Sequence, residues 1–378
     1  MGDPQTADTG PAALRDRLVT VGRSAGLVAV GITDATPFED TRQVLEERKA
    51  AGLAADMQFT YRNPARSTDP QQALRSAQSL VVGAWPYPAE LPADHATLRS
   101  GSPQGEVARY ATSNHYADLR GALGAMAQVL IDAGHVARVL ADDNALVDRA
   151  AAHRAGIGWF GKNANILVPG HGSWVVLGAV LTDARLPVGS EPVPDGCGPC
   201  RRCMDGCPTG AIVAPGVVDA RRCLAWLVQA PGIIPREVRV ALGGRIYGCD
   251  DCQEVCPPNR RLDDSALVTA GRLVDLIGLL GAGDDELLER HGRWYVAERN
   301  PAYLRRNALV ALGNVADGND PQVVAALVGH LAHPEAVVRA HAVWAARRLG
   351  RDDLVALVDG DESTDVVDEV RSPPPPAR

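Results

Sequence analysis

The sequence contains no long hydrophobic run: nowhere do about eighteen apolar residues, the minimum for a membrane-spanning helix, follow one another. Its first residues, MGDPQTADTG, also lack the basic and then apolar stretches of an export signal. These absences argue against a membrane protein and against a small secreted disulfide scaffold. They predict a protein of the reducing cytoplasm.

Several cofactor motifs are missing as well. No GxGxxG follows a strand, which argues against a bound dinucleotide, and the nine scattered histidines form no HExxH. The chain also lacks DxHxxG, through which some corrinoid proteins supply a histidine to cobalt. Any corrinoid bound here is therefore expected to be base-off, without a protein histidine ligand.

Lysine is nearly absent, since Lys49 and Lys162 are the only lysines among 38 basic residues. Lys162 lies in the glycine-rich turn 158–163, but the full phosphate-loop pattern is missing, so it is a weak candidate for phosphate contact. The net charge of −8 is uneven: residues 352–378 carry −6, whereas 290–351 carry +5. Two interpretations of 290–351 remain, a basic face for nucleic acid and an ordinary solvated helix surface.

The sequence does contain a dense group of cysteines. All eight lie within sixty positions, spaced Cys197-x2-Cys200-x2-Cys203-x3-Cys207-Pro208, then Cys223, then Cys249-x2-Cys252-x3-Cys256-Pro257. The first run has the spacing of a bacterial ferredoxin, in which three thiolates hold one cluster and the fourth, before proline, ligates the other. Eight thiolates suffice for two 4Fe-4S clusters.

The ferredoxin rule also assigns the ligands. One cluster would take Cys197, Cys200, Cys203 and Cys256, and the other would take Cys207, Cys223, Cys249 and Cys252. Zinc is the alternative, because paired four-cysteine zinc sites also use CxxC. Zinc, however, seldom needs a third cysteine two residues on or a following proline.

Apolar patterning divides the chain into parts. A disordered leader (1–12) is expected before an α/β domain (13–190), with strands predicted at 27–32, 79–84, 136–140 and 174–181 and helices at 13–25, 116–133 and 145–155. A ferredoxin-like cluster module (191–262) follows. Residues 263–351 are expected to be helical throughout, since 307–313, 321–331 and 334–349 resemble HEAT-type repeats. Residues 352–378, acidic and then proline-rich, are expected to form a solvated tail.

Several segments match one family in combination. Cys197–Ile212 (CGPCRRCMDGCPTGAI), Val218–Cys223 (VDARRC) and Arg245–Gln253 (RIYGCDDCQ) resemble epoxyqueuosine reductase. Arg109-Tyr110, Asp148–Lys162 (DRAAAHRAGIGWFGK) and Arg305–Ala308 (RRNA) do so too. The resemblance extends over nearly the whole chain, from residue 14 to residue 350.

This resemblance implies an enzyme for the last step of queuosine synthesis, which reduces the epoxide of epoxyqueuosine at the wobble position of tRNA to an alkene with loss of water. It implies cobalamin together with two 4Fe-4S clusters. The N-terminal domain would be similar to the nitroreductase-like corrinoid fold of reductive dehalogenases. A cytoplasmic monomer with an external electron donor of the flavodoxin or ferredoxin type is expected.

The resemblance also implies a proton donor. Counted back without gaps from Gly158-Trp159, the family's proposed acid falls on Asp142, with Asp143 adjacent as the alternative. A carboxyl group buried beside the flat corrin would keep its proton available. From the residues alone, the run Asp142-Asp143-Asn144 is more typical of a helix N-cap.

Contacts to cobalamin and tRNA are implied at scattered positions. For cobalamin they fall on Arg66, Ala108, Arg109, Asp142, Ile166, Leu177, Ala225, Asp250 and Asp251. For tRNA the candidates are the helices of 290–351 and Arg201, Arg202, Arg221 and Arg222. Phosphate contacts would make the affinity salt-dependent. Arg305 and Arg306, within 290–351, could equally be solvent-facing.

Two other functions fit the cysteine pattern. One is a small-molecule corrinoid iron–sulfur reductase of the dehalogenase type, which typically carries a twin-arginine export signal that is absent from the first thirty residues. The other is a non-catalytic electron-transfer protein, which would purify without a corrinoid.

Overall fold

A computed structural model describes residues 10–59, 61–87, 101–189, 191–260 and 272–375. The chain divides into two compact units, each assembled from separate segments. The first unit comprises Met1–Pro88, Ser113–Ala220 and Asp251–Asp263, and the second comprises Ala89–Thr112, Arg221–Asp250 and Asp264–Arg378. This division does not follow the contiguous boundaries predicted at 190, 262 and 351. Of the predicted leader, residues 1–9 lie outside the described residues.

The described helices are mostly short, and none is both long and apolar enough to span a bilayer. In chain order they are α1 (Pro11–Ser24), α2 (Glu39–Ala50), α3 (Pro64–Ser67), α4 (Pro70–Ala73), α5 (His115–Asp132), α6 (Asp148–Arg154), α7 (Arg202–Asp205), α8 (Leu224–Leu227), α9 (Arg236–Leu242), α10 (Asp251–Glu254), α11 (Pro257–Arg260), α12 (Leu276–Gly281), α13 (Asp284–His291), α14 (Ala302–Val315), α15 (Pro321–Leu331), α16 (Ala336–Arg348) and α17 (Thr364–Arg371).

The described strands form small sheets. They are β1 (Ala29–Asp34), β2 (Ser79–Pro86), β3 (Gln104–Val107), β4 (Ala137–Ala141), β5 (Trp159–Phe160), β6 (Ile166–Leu167), β7 (Val175–Thr182), β8 (Ile212–Ala214), β9 (Val217–Val218), β10 (Arg245–Tyr247) and β11 (Leu273–Asp275). The four strands predicted before residue 190 are confirmed as β1, β2, β4 and β7, with ends shifted by a few residues.

The first unit is built on a four-stranded sheet in the order β1-β2-β7-β4. Every pairing in it is antiparallel, with Ala29 opposite Ala84 and Ser79 opposite Thr182. Strand and helix thus alternate along the chain as predicted. The helices do not, however, serve as crossovers between parallel strands.

Both faces of this sheet are covered by helices. On one face Gly83 and Gly178 leave room for Leu123 of α5, because a Cβ at either glycine would approach the Leu123 side chain closely. On the other face Leu80 and Val82 pack with the buried alanines of α6. Successive residues of β2 point to opposite faces of the sheet. Because helices cover both faces, nearly every residue of β2 is apolar.

The second unit has a three-stranded sheet in the order β10-β3-β11. Strand β3 pairs parallel with β10 and antiparallel with β11. The expectation that 263–351 is helical throughout is therefore wrong at Leu273–Asp275. The predicted helices 321–331 and 334–349 are confirmed as α15 and α16, and 307–313 lies within α14. Helices α14 and α16 supply much of the core, with Trp344 almost fully buried.

The acidic C-terminal stretch is not the solvated tail that its composition predicts. It forms a 3-10 helix, Asp352–Val358, and then α17, whose Val366 is fully buried. Glu369 of α17 is only 4% exposed and forms ion pairs with Arg236 and Arg239 of α9. Burial lowers the pKa of Arg239 to about 9. The stretch is part of the second unit because its apolar face and one carboxylate complete that core.

Replacing Glu369 by Gln should therefore destabilise the second unit. The change leaves Arg239, with 0% exposure, without a buried counter-charge, and breaking such a pair costs roughly 3–5 kcal/mol. Asp365→Asn, at an exposed position of the same helix, is the matched control. Urea unfolding of both variants measures the difference, and equal stability of the two would contradict the structural role of Glu369.

Candidate functional site

Four cysteines of the first unit line one cavity. Cys197 and Cys200 lie on a surface loop, Cys203 lies in α7, and Cys256 lies between α10 and α11. With Trp159, Lys162 and other residues they line a cavity of about 80 Å³. These are the four thiols that the ferredoxin rule assigns to one cluster.

The proximity of these thiols has an electrostatic cost. Burial raises the pKa of Cys256 to about 11, and the neighbouring Cys197 and Cys203 thiols act in the same direction. Burial and Cys197 also raise the pKa of Cys203. Without a bound cation the group therefore favours neutral thiols, whereas a coordinated metal makes such thiols give up their protons.

The second predicted set is divided between the units. Cys207 and Cys252 belong to the first unit, and Cys223 and Cys249 belong to the second. Cys207 Sγ accepts a hydrogen bond from Ala211 N at 3.2 Å. Within the described residues, no three His, Cys, Asp or Glu side chains form a set that could hold a single metal ion. A 4Fe-4S cluster instead takes its four thiolates around a larger inorganic core.

The glycine-rich turn at 158–163 contacts the loop that carries Cys197 and Cys200, called the cysteine loop below. Lys162 Nζ donates to Gly198 O at 2.6 Å and to Cys200 O at 2.9 Å. Asn163 Nδ2 donates to Cys252 O at 3.4 Å. Lys162, a weak candidate for phosphate contact by sequence, thus donates to backbone carbonyls of the cysteine loop.

A buried polar network anchors the segment that carries Cys252 and Cys256. Ser173 N donates to Asn259 Oδ1 at 2.7 Å, and Ser173 Oγ donates to Gln253 Oε1 at 2.9 Å. Tyr87 Oη donates to Ser173 O at 3.2 Å. Gly172 is required beside this network, since a Cβ there would lie 1.9 Å from Asn259 Oδ1. Sequence reasoning missed these residues because each resembles an ordinary loop residue.

The predicted proton donor lies just after β4. Arg120 Nη2 donates to Ala141 O at 3.0 Å and so holds the end of the strand. Asp142 follows with an exposed side chain and a left-handed backbone, φ 53°. Asp143 has a different role, since its Oδ1 accepts from Ala145 N at 2.9 Å and caps the turn. The helix N-cap interpretation is wrong, because the next helix, α6, begins at Asp148 and its N-cap residue, Val147, makes no side-chain cap hydrogen bond.

Asp148 is a third carboxyl group in this region. Burial raises its pKa, and repulsion from Asp142 adds to the rise, whereas the neighbouring Arg149 opposes it. A partly buried carboxyl group with a raised pKa is a candidate for holding a proton. Asp148 begins the family-like segment Asp148–Lys162, but neither its residue type nor its spacing predicts a chemical role.

The residues implied for cobalamin are distributed between the units. Arg66, Asp142, Ile166, Leu177 and Asp251 belong to the first unit, and Ala108, Arg109, Ala225 and Asp250 belong to the second. Ile166 and Leu177 pack in the hydrophobic core of the first unit. In the second unit, the buried Asp250 accepts from Arg109 N at 2.7 Å and lies 3.6 Å from Arg272 Nη2.

Two arginines proposed for tRNA are buried. Arg305 is 6% exposed and Arg306 is 0% exposed, so neither is the solvent-facing residue that composition allows. Arg306 donates to four backbone oxygens of the segment after Cys223, those of Leu227, Val228, Ala230 and Gly232. Burial lowers its pKa to about 9. Asn307 extends the same contacts to Val228 O and to Ile246 O, three residues before Cys249.

The excess positive charge of 290–351 is largely matched by the acidic stretch that follows it. Arg339 pairs with Asp361 at 2.6 Å, Arg351 pairs with Asp353 at 2.7 Å, and Arg347 lies 3.6 Å from Asp352. These three arginines are thus paired with acidic side chains, and a nucleic-acid contact of 290–351 stays a prediction. Arg201, Arg202, Arg221 and Arg222, by contrast, are exposed.

Comparison with known proteins identifies close relatives. A family model described as a 4Fe-4S double cluster binding domain matches residues 196–259. A Bacillus anthracis protein named epoxyqueuosine reductase is 32% identical over 356 residues, which cover 92% of each chain. A Vibrio cholerae protein of the same name is 34% identical, over 85% of this chain and 88% of its own.

Solved structures are similar over nearly the whole chain. A crystal structure of epoxyqueuosine reductase with an epoxyqueuosine-modified tRNA stem loop has a TM-score of 0.84 and 28% identity, covering 94% of this chain and 96% of that chain. The enzyme from Streptococcus thermophilus has a TM-score of 0.83 and 26% identity, covering 94% and 97%. In a Bacillus subtilis structure with a TM-score of 0.84 and 28% identity, covering 94% and 97%, the catalytic aspartate loop is swung out of the active site.

Replacing Arg306 by Met should destabilise the second unit and loosen the segment that follows Cys223. The variant removes the Arg306 donor from Leu227 O, from the partly buried Ala230 O and Gly232 O contacts, and from Val228 O, which keeps its bond from Asn307. A buried group left unsatisfied costs roughly 1–3 kcal/mol. Arg290→Met removes an exposed arginine paired with Glu286 at 2.8 Å and should change stability by less than about 1 kcal/mol. Urea unfolding compares the two, and similar small losses would show that the Arg306 contacts contribute little.

Proposed function

The chain belongs to the epoxyqueuosine reductase family, and on that premise we propose that it reduces the epoxide of epoxyqueuosine in tRNA to the alkene of queuosine. The observation that carries this function is similarity over 94% of the chain to an epoxyqueuosine reductase bound to its modified tRNA stem loop. The reaction takes two electrons and two protons and releases the epoxide oxygen as water. The wobble position is the proposed site of the modified nucleoside.

Two 4Fe-4S clusters are the proposed electron carriers. The first would be held by Cys197, Cys200, Cys203 and Cys256, and the shared cavity and the raised pKa values of Cys203 and Cys256 fit a cationic iron core. The second would be held by Cys207, Cys223, Cys249 and Cys252. An external flavodoxin- or ferredoxin-type protein is the proposed source of the electrons.

Cobalamin is the proposed second cofactor, base-off and without a protein histidine ligand. When bound it would supply a strongly reducing cobalt centre. The proposed contacts remain Arg66, Ala108, Arg109, Asp142, Ile166, Leu177, Ala225, Asp250 and Asp251. Because the side chains of Ile166 and Leu177 are buried in the core, these two would contribute backbone groups rather than side-chain tips.

Asp142 is the proposed proton donor to the oxygen of the opening epoxide. Its support is an exposed carboxyl group directly after the end of β4, on a backbone turn that Arg120 and Asp143 hold in place. Asp148, whose pKa is raised by burial and by Asp142, would keep a second proton in the same region. The catalytic aspartate loop of the Bacillus subtilis relative supports a loop carboxylate in this role.

Arg201, Arg202, Arg221 and Arg222 are the proposed phosphate contacts for tRNA, because they are exposed arginines of the cysteine-rich segment. The proposed architecture is a nitroreductase-like corrinoid domain, a two-cluster module and a HEAT-like region around α14, α15 and α16. The protein is further proposed to be a monomer of the cytoplasm.

The function is tested with anaerobically purified full-length protein, loaded with iron, sulfide and cobalamin. Incubation with epoxyqueuosine-containing tRNA and a strong low-potential reductant should produce queuosine, measured by mass spectrometry of the digested nucleosides. Omitting cobalamin is the control and should abolish the product. Full cofactor loading without queuosine formation would refute the substrate. Binding of both clusters but no corrinoid would favour a simple electron-transfer protein.

Replacing Asp142 by Asn should lower the rate constant of the chemical step by a hundredfold or more, the order of about 10² to 10⁴ expected for a lost general acid. Asp143→Asn keeps an oxygen that can cap the turn and should change the rate little. Single-turnover formation of queuosine, at equal iron and cobalamin content, compares the two. Near-normal turnover by Asp142→Asn would transfer the role to Asp143, Asp148 or water.

A further inference from the structure

The indole N–H of Trp159 is a buried donor without an acceptor. Among the described residues Trp159 Nε1 has no hydrogen-bond partner. A buried donor left unsatisfied is unfavourable, so its persistence calls for an acceptor that the described polypeptide does not provide. Trp159 lines the same cavity as Cys197, Cys200, Cys203 and Cys256.

The Trp159 ring is held in place by its surroundings. It lies on β5, which pairs with β6 through Trp159 opposite Leu167. The preceding Gly158 is packed so tightly that a Cβ would lie 2.4 Å from Leu167 O. Gly196, directly before Cys197, faces the ring, and a Cβ there would lie 2.7 Å from it. The indole is therefore fixed against the start of the cysteine loop.

Lys162 brings a positive charge to the same loop. Its ammonium donates to Gly198 O and Cys200 O, at 2.6 and 2.9 Å. These contacts keep the charge on the loop that joins Cys197 to Cys200. In the described part of the chain no ion pair joins Lys162 to a carboxylate, and its ammonium donates to the two backbone carbonyls. The two residues thus place one N–H donor and one cation beside a single set of four thiols.

The N–H donor and the ammonium group both stabilise the more negatively charged state of a cluster bound in this cavity. Reduction of a 4Fe-4S cluster adds one electron and therefore one negative charge, and the potential depends on hydrogen bonds to the sulfurs and on nearby charge. We propose that Trp159 and Lys162 raise the reduction potential of the cluster assigned to Cys197, Cys200, Cys203 and Cys256. Trp159 does so by an N–H···S hydrogen bond and Lys162 by its charge. This inference rests on the proposed two-cluster content, but not on the substrate.

The test is a redox titration of the full-length protein after anaerobic reconstitution, followed by electron paramagnetic resonance and visible absorption. Trp159→Phe keeps the ring and removes the donor. It should make reduction of one cluster about tenfold less favourable, a shift of about 59 mV to more negative potential for one electron. Lys162→Gln should shift the same cluster in the same direction, and Lys162→Arg, which keeps the charge, should shift it little.

Phe160→Leu is the matched control, since Phe160 neighbours Trp159 but is 43% exposed. It should leave both midpoint potentials and the iron content unchanged. Unshifted potentials in Trp159→Phe with full iron content would overturn the inference. Loss of iron with no change in the potential of the remaining clusters would also overturn it, because Trp159 would then be a packing residue only. Queuosine formation is measured separately, so a failed shift in an active enzyme does not reflect on the proposed function.

Discussion

Four thiols must be held around one small cavity, where burial and neighbouring thiols raise the pKa of Cys203 and Cys256, and much of the surrounding structure fixes their positions. The cysteine segments are short loops and single-turn helices with little apolar core of their own. Their positions are fixed instead by polar anchors: Lys162 on the loop of Cys197 and Cys200, and the Tyr87, Ser173, Gln253 and Asn259 network on the segment of Cys256. In the second unit, Arg306 and Asn307 fix the peptide segments that follow Cys223 and precede Cys249. These polar contacts hold the ligand loops in shape without a large apolar core beneath them.

The sequence predicted the features that depend directly on residue type and spacing. Cysteine spacing identified the four thiols that line one cavity, and continuous apolar runs located β1, β2, β4 and β7. The antiparallel order of the sheet was not predictable from those runs, because a strand covered by helices on both faces is apolar throughout in either orientation. Strands β3, β10 and β11 were missed since each has only three or four residues, too few for a periodic pattern.

Charged residues were the other source of error, because composition does not record what a charge pairs with. Arg306 is fully buried on backbone carbonyls, and Glu369 is buried between arginines. The acidic stretch and the arginine-rich helices, opposite in net charge, neutralise one another through pairs such as Arg339 with Asp361. Among adjacent aspartates, only the structure separates Asp143, which caps the turn, from Asp142, which does not share that hydrogen bond. The family resemblance places the proposed acid in this run, and the hydrogen bond of Asp143 distinguishes the two side chains.

The burial of Glu369 against Arg239 has a consequence for biosynthesis. The two residues are 130 positions apart, so Arg239 is synthesised well before its buried partner Glu369. Domains rich in contacts between distant positions fold slowly, and segments made early remain exposed until their partners emerge. The second unit, which uses β3 near residue 105 as well as α17 near residue 370, can therefore close only after α17 has left the ribosome. Until then, the apolar faces of the helices made earlier lack their final partners and are prone to aggregation.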